Sequence, residues 1–191
     1  MQSKNNPLYF DAKWNLVIKH LPNGGAYSFH KRQAGFDIIK SRIPEQSIVF
    51  DYACGLGLID IQLEREKNCN CSGCDFSPVA IKYLQEHSRN PENWRVSDKF
   101  FGYSYDYVIG VQILEHLKNP VDWMKTALKV GSKVIVALPN NFTRTGEHVN
   151  MAWQSWDEFR RLFSGFKFER IDSYNKTVET AYKHPIWEFI R

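Results

Sequence analysis

No apolar run in this sequence approaches the ~18 residues that a membrane-spanning helix needs. The opening Met1-Gln2-Ser3-Lys4-Asn5-Asn6-Pro7 also lacks the apolar core of a signal peptide. A cytoplasmic location is therefore expected. Runs of one charge are missing too: the net charge is +4 over 191 residues, with Lys and Arg scattered. That distribution argues against nucleic acid as a partner. Internal repeats and low-complexity segments are absent. Cysteine is scarce, at four residues. Cys69, Cys71 and Cys74 lie together, but no second Cys/His pair stands at a spacing that would complete a zinc tetrad. No metal site and no disulfide framework are expected.

What is present is an ordinary globular composition with an excess of rings. The chain is 43 % hydrophobic, 24 % charged and 15 % aromatic, which leaves room for an aromatic-lined pocket. One domain over 1–191 is expected, large enough to bury about 70 % of its unfolded surface. Apolar periodicity alternates between the helical and extended kinds. Helices are expected at 28–40, 58–67, 78–87, 121–129 and 155–163, and strands at 47–51, 70–75, 94–97, 105–111, 133–138, 166–171 and 185–190. Ser77-Pro78 supplies an N-cap and a first-turn proline. Ser155 with Glu158 reads as a capping box. Residues 1–27 are mixed and aromatic, broken by Pro22 and Gly24-Gly25. The alternation predicts an α/β, doubly wound, mostly parallel sheet of about seven strands, with the last strand antiparallel and the ligand beyond the strands' carboxyl ends. One connection fits badly. Between Asp98 and Tyr105 there is too little chain for a crossover helix of roughly a dozen residues, so the third strand is expected to be short or misplaced.

The most informative segment is Ile48-Val49-Phe50-Asp51-Tyr52-Ala53-Cys54-Gly55-Leu56-Gly57. It is an apolar strand ending in an acid, then a glycine turn, then the start of a helix. Twenty residues after Gly55, the next strand ends in Asp75-Phe76-Ser77. Such an acid suits the ribose hydroxyls of an adenosine, while the glycines let the backbone approach the ligand. A dinucleotide fingerprint, G-x-G-x-x-G, would need a third glycine where this chain has Asp60.

The pattern Asp51-x-Ala53-Cys54-Gly55-x-Gly57 instead resembles the first motif of the class I S-adenosylmethionine (SAM) methyltransferases, with Ala53 in place of their usual glycine. The resemblance continues through Tyr105-Asp106-Tyr107-Val108 and Leu114-Glu115-His116-Leu117, and through Leu138-Pro139-Asn140, Glu147-His148, Trp156 and Gly165-Phe166. These later segments are similar to the small-molecule branch. The likeness implies SAM as cofactor, S-adenosylhomocysteine as product and a small-molecule methyl acceptor as partner. It implies that Asp51, Ala53, Gly55 and Gly57 shape the methionine end of the pocket. Asp75 would hold the ribose, Phe76 would pack on adenine, and Asp98 would reach the adenine amino group. Val111 and Gln112 would border the sulfonium, and Arg32 would meet the cofactor carboxylate. Residues 1–45 would form an N-terminal lid.

Methyl transfer asks for an acceptor lone pair in line with the S–CH₃ bond, and for a base only where the acceptor must lose a proton. His148 and His116 are the candidates for that catalytic role, because the resemblance puts both near the reacting end. Tyr9, Phe10, Trp14, Trp153 and Trp156 are the aromatics expected to line an acceptor pocket under the lid. A catalytically silent SAM-binding module and an NAD-linked oxidoreductase are the alternative readings. The missing third glycine counts against the latter.

Overall fold

The computed structural model describes residues 6–21, 29–102, 104–139, 152–172 and 185–191, excepting the side chains of 29–32. Its helices are α1 (Pro7–His20), α2 (Phe29–Arg42), α3 (Leu58–Lys67), α4 (Pro78–His87), α5 (Pro120–Val130) and α6 (Trp156–Leu162). The strands are β1 (Ile48–Tyr52), β2 (Asn70–Asp75), β3 (Trp94–Val96), β4 (Tyr105–Val111), β5 (Gly131–Ala137), β6 (Lys167–Arg170) and β7 (Ile186–Ile190). They form one sheet in the order β3-β2-β1-β4-β5-β7-β6. All neighbours are parallel except β7, which runs antiparallel to both β5 and β6. The expected doubly wound fold with a reversed last strand is the observed one.

Side chains alternate across the sheet and divide the core in two. Phe50, Val108, Val134 and Val136 face a cluster that includes Met124 of α5 and Phe159 of α6. Val49, Ile109 and Ile135 face the other way, onto Ile39 of α2 and Ile59 and Leu63 of α3. Strands covered on both faces need apolar residues at consecutive positions, which is why β4 and β5 read as near-continuous runs.

One region bears out an expected misfit and another departs from the sequence reading. As expected, the third strand is short, at three residues, and among the described residues no helix returns the chain from β3 to β4. Phe100 and Phe101 do that work from an irregular segment, with ring centroids 5.4 and 5.0 Å from Phe50. Two aromatic rings thus supply the apolar cover a helix would have given this side of β1. The departure is α1, which the broken apolar pattern did not announce. Its start is nonetheless conventional: the Asn6 side chain accepts from the Tyr9 amide at 2.9 Å, and Pro7 holds the first helical position. Only Val17 of this helix is buried, and Leu8 and Leu16 are exposed.

The local caps follow the sequence. Ser77 Oγ accepts from the Ala80 amide, and Ser155 Oγ from the Glu158 amide, both at 3.2 Å. The Glu158 carboxylate reaches back one residue further than a capping box requires, to the Gln154 amide at 2.6 Å.

Candidate cofactor site

At the carboxyl end of β1 the backbone takes a left-handed conformation at every second residue: Ala53 (φ 60°), Gly55 (φ 54°) and Gly57 (φ 60°). Gly57 needs its missing Cβ as well, since one would fall 2.2 Å from Leu84 Cδ1 of α4. Ala53 holds the same backbone shape with a methyl group, against a preference of about 1–2 kcal/mol. The turn is pinned to the neighbouring strand, where the Cys54 amide donates to the Cys74 carbonyl at 3.1 Å. Gly73 lets β2 come this close, because a Cβ there would lie 2.3 Å from the Asp51 carbonyl oxygen.

Asp75 ends β2 beneath that turn. Its two carboxyl oxygens accept from the Gly55 amide at 2.9 Å and the Ser77 amide at 2.8 Å. The residue is 4 % exposed. Burial raises its pKa, and the two amide bonds work against that rise. Asp75 therefore joins the glycine turn to the start of α4. Phe76 follows it and meets Phe10 edge-on at 5.1 Å.

Helix α1 lies over this ensemble. Asp11 accepts from the Ser77 hydroxyl and, at 3.4 Å, from the Val79 amide, placing a carboxylate at the N-terminus of α4. The Trp14 ring lies 2.8 Å from where a Gly55 Cβ would be. Phe10 spans from Phe76 to His116, whose ring centroid is 6.3 Å away. The carboxyl ends of β2 and β4 are thus bridged by one helix face.

The remaining expected residues divide. Val111 closes β4, and Gln112 follows with φ 58°, its amide donating to the Ala137 carbonyl at 2.8 Å. A non-glycine residue held left-handed between two strand ends is local strain of the kind found at functional sites. Asp98 is exposed, and its carbonyl accepts from the Tyr52 hydroxyl. The Ser97 amide donates to the Asp75 carbonyl at 2.9 Å, which keeps Asp98 near Asp75. Arg32 falls in α2, but its side chain lies outside the described residues, and His148 lies outside them altogether. His116 ends a short 3-10 turn, with Nε2 4.0 Å from a carboxyl oxygen of the fully buried Glu115.

One expectation for the acceptor pocket needs correcting. Trp153 is fully buried and packs against Phe159 at 5.3 Å. Trp156 leans on Phe159 and Trp187 at 5.9 and 6.2 Å. Trp153 serves the core under α6 rather than a lid, and Trp156 is half-buried at the edge of that core.

The sequence reading missed Asp11, Gly73 and the role of Asp60. Asp60 had a usable signal, an acid among the inward-facing residues of α3 between Ile59 and Leu63. Asp11 had none, since its partner on α4 is 66 residues away.

Comparison with known proteins agrees with this geometry. A family model described as a methyltransferase domain matches residues 29–181. Among solved structures, the fold is shared with a Haloferax volcanii complex between the Trm112 methyltransferase activator and a methyltransferase (TM-score 0.70, 15 % identity, covering 95 % of this chain and 96 % of that one). It is shared with magnesium protoporphyrin IX methyltransferase of Synechocystis PCC 6803 with bound SAM (0.67, 18 %, 97 % and 94 %). A TehB-like SAM-dependent methyltransferase of Corynebacterium glutamicum is similar to the same degree (0.66, 16 %, 97 % and 100 %). Among curated proteins, none matches the chain significantly. With the family model spanning most of the chain, this protein belongs to the methyltransferase-domain family and is an enzyme.

Proposed function

We propose that this enzyme moves a methyl group from SAM to a small-molecule acceptor in the cytoplasm. The observation that carries the reading is Asp75, a nearly buried acid tied to the Gly55 amide at 2.9 Å. One carboxylate there serves both the glycine turn and a ribose. The residues fit the cofactor on a second count: Asp51 Oδ1 at the turn is a buried acceptor with no donor, suited to the cofactor's amino group. Bound SAM supplies an activated methyl group on a sulfonium.

The chain's own part is binding and orientation. Asp51, Ala53, Gly55 and Gly57 shape the methionine end, and Asp75 holds the ribose. Phe76 and Asp98 flank the adenine, while Val111 and Gln112 border the sulfonium from the end of β4. Arg32 takes the cofactor carboxylate. Residues 1–45 cap the site, with α1 lying over the turn and α2 packed on the sheet behind it. His116, facing Phe10 of that cap, or His148 accepts a proton where the acceptor must lose one. An NAD-linked oxidoreductase finds no comparable support, with Asp60 at the third glycine position.

The test is incubation with methyl-labelled SAM and a small-molecule extract. Label transferred to a low-mass product supports the proposal. Label in protein or nucleic acid, or SAM bound without turnover, contradicts it.

A further inference from the structure

A fully buried acid on the inner face of α3 has no evident purpose in packing. Asp60 is 0 % exposed, and neither of its carboxyl oxygens has a donor. Asp51, at the end of β1, is 2 % exposed, and its Oδ1 has no donor either. The two side chains are within hydrogen-bonding reach of each other. Two ionised carboxylates in contact without a cation repel, and burial removes the water that would screen them. One proton held between them turns the repulsion into a hydrogen bond, as in other carboxylate dyads.

The described surroundings offer no other solution. Among the described residues, the titratable groups facing the pair are Glu64 from the same helix, Cys54 from the turn, and Cys69, Cys71, Cys74 and Asp75 from β2 and its lead-in. None is a cation. Burial pushes the thiols up and keeps them neutral. Glu64 is satisfied elsewhere, accepting from Ser88 Oγ at 2.8 Å and the Arg89 amide at 2.9 Å.

We propose that Asp60 is a positioning residue for the cofactor's α-amino group: it shares one proton with Asp51, and the pair releases that proton to solvent when the α-ammonium docks against Asp51. This rests on the reading of the glycine turn as the methionine end of the cofactor site. The incoming ammonium replaces the proton as the counter-charge, so the pair is neutralised once in either state. Cofactor affinity then rises with pH, by up to about tenfold per unit, while the free enzyme's pair is protonated. Burial pushes the Asp60 carboxyl up to about 7 and the Asp51 carboxyl well above its usual range, so the pair holds its proton through mildly acidic pH. α-Amino groups keep their proton to roughly pH 7.7. The interval from about pH 5.5 to 7 therefore isolates the dyad.

The test is calorimetric titration of the full chain across that interval, in two buffers of different ionisation enthalpy. The ligands are SAM, S-adenosylhomocysteine and 5′-methylthioadenosine, the last lacking the amino acid. The expected result is release of close to one proton with SAM and S-adenosylhomocysteine at the acid end. Affinity for both should rise at least five-fold toward pH 7, with a flat profile for 5′-methylthioadenosine. Asp60→Asn, whose amide stays a permanent donor to Asp51, should bind SAM with no proton release and no slope. A slope that persists in Asp60→Asn, or that 5′-methylthioadenosine shares, would overturn the proposal. The wild-type proton count stands even where the variant fails to fold. Tight SAM binding without proton release sinks this inference alone. No SAM binding at any pH sinks the cofactor reading together with it.

Discussion

Replacing Asp75 by alanine strikes two functions at once, and the structure lets both be sized. The side chain accepts from the Gly55 and Ser77 amides, at 2.9 and 2.8 Å, in a nearly buried setting. A hydrogen bond to a charged group contributes about 1.5–3 kcal/mol. Two such bonds would give up to ~6 kcal/mol, but the variant also sheds the burial cost that raises the Asp75 pKa. A net loss of about 3 kcal/mol follows, or roughly 6–12 °C in melting temperature for a chain of this size. Losing the ribose contact weakens SAM by a further ~2 kcal/mol, about thirty-fold in Kd. Asp75→Asn retains one acceptor oxygen and should show about half the loss in stability. Thermal unfolding with calorimetry of SAM binding reads both effects. An Asp75→Ala protein that melts within 2 °C of wild type and binds SAM within about three-fold would refute the reasoning.

Three further outcomes are expected. Gly57→Ala forces a Cβ to within 2.2 Å of the buried Leu84 at φ 60°. Left-handed strain and overpacking together should cost about 3 kcal/mol, read from the urea midpoint. Ala53→Gly should stabilise the fold by about 0.5 kcal/mol, since relief of strain at φ 60° outweighs the added freedom of the unfolded chain; a midpoint below wild type would contradict this. Asp60→Asn should stabilise the free protein increasingly as pH rises from 4 to 7. The native Asp60 pKa, about 7, exceeds the unfolded value near 3.9, so the folded state binds more protons in that window. Wild-type stability is therefore lost as pH rises through it, on the order of 1.4 kcal/mol per unit at the steepest. Equal pH slopes for the two proteins would remove Asp60 as the cause.

The core of the fold was legible because its signals are local. β2, α3, α4 and β4 begin and end where apolar period, glycine and proline place them. The turn from Asp51 to Gly57 and the acid at Asp75 were readable for the same reason. Long-range pairing defeated the rest. Helix α1 gains its place from Asp11 on Ser77 and Trp14 on Gly55, contacts that leave little apolar stripe in its own sequence. The β3–β4 connection was legible as too short for a helix, but not the two phenylalanines that cover β1 in its place. Trp153 was misplaced because aromatic content cannot tell a pocket wall from a core.

Thermal unfolding of the full chain with SAM, S-adenosylhomocysteine and NAD, each at about 100 times its expected Kd, tests the cofactor assignment most directly. Binding at that excess adds about 2.7 kcal/mol, or roughly 5–10 °C. A rise of that size with SAM and S-adenosylhomocysteine, and none with NAD, is the result this account predicts. A rise with NAD alone, or with none of the three, would contradict it.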